Sequence, residues 1–232
     1  QRRARSFGAA KTLWRDQFLI IFAAGLVFFT NLGAAALFDE DEPKNAVCGR
    51  EMFLRGDWIV PTFNDELRTD KPILVYWLML TSYTVFGVSE FAARLGSSVL
   101  AVGTSLWVYH LGRKLFQAEV GLWSALVLCT CLMFSAVGRS VTPDSTLIFC
   151  TTAAFLAYVW ATAVRHGGRF GNVDGTELPR RPWHEFVPAT GLAAVPMYIA
   201  MGFAVLAKGP IGVLLPCTII GLFLLIRRQL DQ

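Results

Sequence analysis

Long apolar stretches alternate with short polar ones along this chain. Apolar runs occupy residues 17–38, 72–87, 91–112, 119–138, 144–164, 187–207 and 210–226. Most are close to the ~20 residues that a helix needs to cross a bilayer. The pattern predicts an all-α polytopic membrane protein. The run 72–87 (PILVYWLMLTSYTVFG) is the exception, because its 16 residues are short for a span.

Charge decides how to place that short run. Residues 1–16 carry Arg2, Arg3, Arg5, Lys11 and Arg15 against Asp16 alone, which puts the N-terminus in the cytoplasm. If 72–87 crossed the membrane, Arg113, Lys114, Arg165, Arg169, Arg180 and Arg181 would all face outside. If it lies in the outer interface, all of them become cytoplasmic, together with Arg227 and Arg228. Tyr76 and Trp77 also suit an interface. The expected architecture has six spans, at about 17–38, 91–112, 119–138, 144–164, 187–207 and 210–226, with both ends inside. An outer loop with juxtamembrane helices fills 39–87, and one helix in it opens near Pro43 and closes near Gly56-Asp57.

Composition agrees. The 232 residues are 54% hydrophobic and only 16% charged, where an average soluble domain has ~25% charged residues. The mean hydropathy is +0.49. A soluble globular domain, a disordered chain and a secreted disulfide scaffold are excluded. Basic residues beside the spans account for the net charge of +4, so no nucleic-acid partner is expected. The five cysteines form no C-x-x-C, and the three histidines show no ligand spacing. The Gly- and Pro-bearing stretch 165–186 reads as a polar cytoplasmic connection.

The chemistry concentrates elsewhere. Nine of the 17 acids lie in residues 39–71. The topology collects Asp41, Glu42, Asp70, Lys71, Arg139, Asp144 and Lys208 on the outer side. Asp144 ends the sequence R-S-V-T-P-D, where Pro143 can open a helix. Lys208 sits in a K-G-P turn between two spans. Singly, these residues read as helix caps, snorkelling lysines or a helix-end anchor. Together they read as a site. Carboxylates can act as bases toward a hydroxyl, and cations can hold a phosphate and stabilise charge developing on it. Beside a bilayer the natural anion is a lipid-borne phosphate, so group transfer from a lipid phosphate is the expected activity. A transporter would place its charges at mid-span, whereas these acids cluster outside.

The stretch FDEDEPKNAVCGREMFLRGDWIVP (38–61) resembles the first outer loop of the aminoarabinose-transferase-like glycosyltransferases, relatives of the protein O-mannosyltransferases in the GT-C class. In order, DKPILVYW (70–77), FGVSEFAARL (86–95), GRKLF (112–116), GRSVTPD (138–144) and LAKGPIG (206–212) are similar too. The resemblance runs from residue 37 to about 216. It implies a GT-C fold with juxtamembrane helices on the outer face of the bacterial cytoplasmic membrane. The implied reaction is inverting transfer from a polyprenyl-phosphate sugar to a lipid or glycan acceptor. A protein acceptor and a non-catalytic lipid-phosphate-binding homologue are the alternatives. Carried over by position, Asp41, Glu42 and Asp144 take catalytic places, and Lys71, Lys208 and Arg139 lie near the donor phosphate. Asp70 stands where the family has a glutamate that helps bind a divalent metal, which leaves one candidate metal ligand here, a methylene shorter. The family is roughly twice as long, so this chain is expected to hold the N-terminal part of a longer protein, without the later helices and the C-terminal outer domain.

Overall fold

A computed structural model describes residues 2–38, 40–163, 183–188 and 190–230. The architecture is helical, with α1 (Arg2–Phe29), α2 (Asp41–Arg55), α3 (Leu74–Phe86), α4 (Glu90–Leu115), α5 (Ala118–Thr130), α6 (Leu132–Gly138), α7 (Pro143–Ala163), α8 (Gly191–Lys208) and α9 (Ile211–Leu230). A small antiparallel hairpin of β1 (Thr62–Phe63) and β2 (Glu66–Leu67) follows α2. Among the described residues, five helices are long and apolar enough to cross a membrane: α1 from Thr12, α4, α7, α8 and α9. The bent pair α5–α6 makes a sixth if it counts as one span. This is an integral membrane protein. Most of the expected loop 165–186 lies outside the described residues.

Two expected spans differ in detail. The first apolar run continues to residue 38, but α1 stops at Phe29. Asn31 adopts φ 60°, which ends the helix. Beyond it, Gly33 lies against Phe91, where an added Cβ would meet the Phe91 Cβ at 2.8 Å. Residues 30–38 are an irregular apolar strap whose carbonyls must find partners elsewhere. The run 119–138 is not one straight helix. It bends by 71° between α5 and α6, at Cys131, whose backbone is extended (φ −66°, ψ 120°). Hydroxyls take over the backbone acceptors there. Thr130 Oγ1 donates to the Leu126 and Val127 carbonyls, and Ser135 Oγ donates to the Cys129 carbonyl at 2.9 Å. Such side-chain bonds compete with the helical ladder and bend it.

The short run behaves differently from the spans. α3 has 13 residues, about 20 Å at 1.5 Å per residue, against a hydrocarbon core of about 30 Å. It packs on α2 and on the start of α4. Met52, Tyr76, Met79, Leu80, Tyr83, Ala92 and Val141 form a core there. A second core joins α1, α4, α5 and α6 through Phe28, Ala101, Cys129 and Phe134. α7 and α8 share a third around Ala154, Met197 and Met201. Small residues let the spans approach closely. An added Cβ at Gly112 would sit 2.8 Å from Gly121 Cα, so α4 and α5 touch backbone to backbone. The exposed Phe18, Phe22, Leu26, Trp123, Val127 and Leu222 are what a lipid-facing surface requires.

Candidate functional site at one end of the bundle

The site is built around a buried ion pair. Glu42, in the first turn of α2, meets Arg94 of α4, and the two side chains are only 5% and 6% exposed. Arg94 Nε and Nη2 donate to Glu42 Oε1 and Oε2 at 3.2 and 3.0 Å, a bidentate fork. The same guanidinium donates to the carbonyls of Leu32 (3.0 Å), Ala35 (2.7 Å) and Ala36 (3.0 Å). These are carbonyls of the irregular strap after α1. The Glu42 carboxylate in turn accepts the backbone N–H of Phe38 and of Val141, each at 2.8 Å. Asn45 Nδ2 donates to the Val141 carbonyl at 2.8 Å. One node therefore fastens the strap, α2, α4 and the segment that leads into α7.

Two carboxylate–lysine pairs flank that node. Asp41 stands next to Glu42 and accepts a hydrogen bond from Lys71 Nζ at 3.1 Å. Their side chains are 48% and 23% exposed. Asp144 follows Val141 by three residues, in the first turn of α7, and pairs with Lys208 at the end of α8. Those side chains are 39% and 42% exposed. Gly209 ends α8 with φ 74°, a conformation that favours glycine, and so aims the K-G-P turn.

The structure thus brings Asp41, Lys71, Asp144 and Lys208 to one end of the bundle as two half-exposed pairs. Glu42 and Arg139 have other occupations. The Glu42 carboxylate is buried and filled by Arg94 and two backbone N–H groups, so it positions its neighbour and has no open face for a reactant. Arg139 Nη1 and Nη2 donate to the carbonyls of Val27 (2.6 Å) and Thr30 (2.8 Å). It closes the C-terminus of α1, which its bulk charge also favours. Asp70 is 72% exposed and accepts from Arg68 Nε at 3.3 Å. Among the described residues, no group of three or more His, Cys, Asp or Glu could hold a metal ion. The residues around Asp70 therefore do not by themselves fit a metal.

Arg94 is the residue that sequence reasoning missed. Its signal was present, because an arginine within the apolar run 91–112 costs several kcal/mol unless paired. The hairpin was missed as well. Asn64 and Asp65 both adopt positive φ (53° and 64°), as a two-residue type I′ turn demands. Glu51 braces it, accepting from Thr62 Oγ1 at 2.6 Å and from Asn64 N–H at 2.8 Å. The Thr62 hydroxyl holds the Glu51 carboxyl below its ordinary range against the opposing effect of burial, with help from the Asn64 and Asp65 N–H groups and the Arg55 charge.

Below the two pairs lies an apolar cavity of about 450 Å³ between α3, α4, α7 and α8. Leu74, Leu78, Phe149 and Phe203 form its walls. Leu74 follows Lys71 closely, and Phe203 precedes Lys208 by little more than one turn of α8. Thr146, just after Asp144, lines the same cavity, and its buried hydroxyl has no hydrogen-bond partner.

Comparison with known proteins supports the fold. The family described as dolichyl-phosphate-mannose-protein mannosyltransferase matches residues 70–170. Crystal structures of ArnT from Cupriavidus metallidurans superpose with a TM-score of 0.73 at 25% identity. The form bound to undecaprenyl phosphate matches over 90% of this chain and 35% of that one. The fold is that of the ArnT-like GT-C proteins. An undecaprenyl phosphate-alpha-4-amino-4-deoxy-L-arabinose arabinosyl transferase from Erwinia tasmaniensis is 34% identical over 151 residues, 65% of this chain and 27% of that protein. An uncharacterized protein of Aquifex aeolicus is 32% identical over 216 residues, 93% of this chain and 44% of its own length. The chain spans less than half of each of these relatives.

Proposed function

We propose that the chain forms the donor-binding face of a glycosyltransferase that uses a polyprenyl-phosphate sugar, at the outer face of the bacterial cytoplasmic membrane. The observation that carries this reading is the stacking of two lysine–aspartate pairs above an apolar cavity. A lipid phosphate has the same two parts, an anion and a hydrocarbon tail. The likeness to an ArnT that binds undecaprenyl phosphate supports it.

In this reading Lys71 and Lys208 hold the donor phosphate and leave their aspartates as it arrives. The acceptor hydroxyl attacks the anomeric carbon, a carbon–oxygen bond forms, and the bond to the phosphate oxygen breaks. The electron pair departs on the phosphate, where the two lysines stabilise it. The acceptor proton passes to Asp41, and the anomeric centre inverts. Asp144 holds Lys208 in place between turnovers. The arabinosyl transferases among the relatives favour a lipid or glycan acceptor, and the mannosyltransferase family that matches residues 70–170 keeps a protein acceptor as the second reading.

The test is transfer of label from polyprenyl-phosphate sugars into a bacterial envelope extract, with mass spectrometry of the product. Asp41→Asn should lower turnover by about 10²–10⁴-fold, the usual cost of a lost general base. Near-normal turnover in that variant would remove Asp41 from the mechanism. Donor binding without transfer across a panel of sugars would mark a non-catalytic lipid-phosphate-binding homologue.

A further inference from the structure

A second cavity, of about 410 Å³, opens between α2, the end of α3 and the start of α4. Leu37, Val47, Arg50, Tyr83, Val88 and Glu90 are among the residues lining it. It lies at the same end of the bundle, against the first turn of α4, where a spanning helix meets the membrane surface. Its lining mixes alkyl groups with two opposite charges. Among the described residues neither Arg50 nor Glu90 forms an ion pair or a side-chain hydrogen bond. Three nearby cations have carboxylate partners: Arg94 has Glu42, Arg68 has Asp70 and Lys71 has Asp41. Tyr83, 2% exposed, is the third polar group in the cavity wall. Its hydroxyl donates to Met79 Sδ at 4.0 Å, a weak bond that a stronger acceptor can replace. Burial, and then the negative charge of Glu90, push that phenol up to about 12, so it stays protonated at neutral pH.

An unpaired cation and an unpaired anion sharing one partly apolar cavity match a ligand that carries both charges. We propose that this cavity binds the headgroup of an ethanolamine phospholipid. The lipid phosphate meets Arg50 and the Tyr83 hydroxyl, the ammonium meets Glu90, and the glycerol end lies along Leu37, Val47 and Val88. Position favours a lipid over a free zwitterion, because the cavity sits at the level where headgroups lie and has an alkyl wall. This site is separate from the Lys71 and Lys208 face and does not depend on the glycosyltransferase reading.

The test is lipid retention by the delipidated protein in detergent, read by native mass spectrometry after exposure to phosphatidylethanolamine, phosphatidylcholine or phosphatidylglycerol. Phosphatidylethanolamine should be retained preferentially. Glu90→Gln and Arg50→Gln should each weaken it about tenfold, the loss of one charge-assisted hydrogen bond. Glu90→Gln should leave phosphatidylglycerol retention unchanged. Val88→Trp, which fills the cavity and keeps both charges, should also release the lipid, and the exchanged pair Arg50→Glu with Glu90→Arg should recover part of it. A thermal melt of each variant separates lost binding from lost folding. Equal retention of the three lipids, or folded variants with undiminished retention, would overturn the proposal. Displacement of the lipid by an equal concentration of O-phosphoethanolamine would overturn its assignment to a lipid.

Discussion

Glu42–Arg94 and Asp41–Lys71 are neighbouring ion pairs with opposite fates. Both link the first turn of α2 to a cation far along the chain. The first is almost fully buried, bidentate and bonded to five further backbone groups. The second rests on one hydrogen bond between half-exposed side chains. A buried pair with all its lone pairs and protons satisfied holds structure but cannot receive a ligand. A half-exposed pair contributes little stability and can be exchanged for another anion. One residue of sequence separates a strut from a candidate reactive group. The strut gives the reactive group its place, since it ties Asp41 to the segment that carries Asp144.

Breaking the strut should have the largest effect. Arg94→Ala leaves the Glu42 carboxylate buried beside three unpaired carbonyls, and should cost about 3–5 kcal/mol of stability. Thermal unfolding in detergent measures this. Arg94→Lys keeps the charge but loses the fork, so it should recover only part of the loss. A melting temperature unchanged in Arg94→Ala would mean that the node does not hold these elements together.

The turn that aims Lys208 is next. An added Cβ at Gly212 would lie 2.3 Å from the Ala204 carbonyl carbon, so α8 and α9 must separate to admit it. Gly212→Ala should destabilise by about 1–3 kcal/mol, as overpacking does. It should also weaken donor binding by moving Lys208, whereas Gly202→Ala, with nothing within 4 Å of the new atom, should do neither. Equal behaviour of the two variants would detach Lys208 placement from this packing. The exposed pair comes third. Lys71→Ala should change stability by less than about 1 kcal/mol, while lowering donor affinity. Loss of folding in that variant would move Lys71 from the binding side of the comparison to the structural side.

Much of this was legible in the sequence. The hydrophobic runs located the spanning helices, because a chain in lipid must satisfy its backbone within each segment. The positive-inside pattern gathered the polar residues of 39–71 with Asp144 and Lys208, and the structure places them at one end. What escaped was tertiary. An apolar run does not say where its helix stops, so neither the strap after Phe29 nor the bend at Cys131 shows in the hydrophobic pattern. Nor do one-dimensional patterns choose between adjacent acids. Glu42 and Arg139 found partners 52 and 112 residues away, and those partners assign each of them a supporting task.

Glu51 extends the comparison to its weak end. It has no ion-pair partner among the described residues, and it braces the hairpin by neutral donors alone, chiefly the Thr62 hydroxyl. Its carboxyl titrates below its ordinary range in the folded protein, while an unfolded chain returns it to about 4.3. A folded-state pKa that is depressed means that the unfolded state takes up a proton first. The contribution is therefore complete above the unfolded value and disappears as pH falls through the folded one. Because the side chain is near the surface, solvent screens the effect, and it should be the smallest of the series. Melting curves between neutral pH and pH 3 should fall more steeply for the wild type than for Thr62→Val, which removes the strongest donor and keeps the shape. Parallel curves would show that the hairpin is held by its Asn64-Asp65 turn, with no help from the carboxylate.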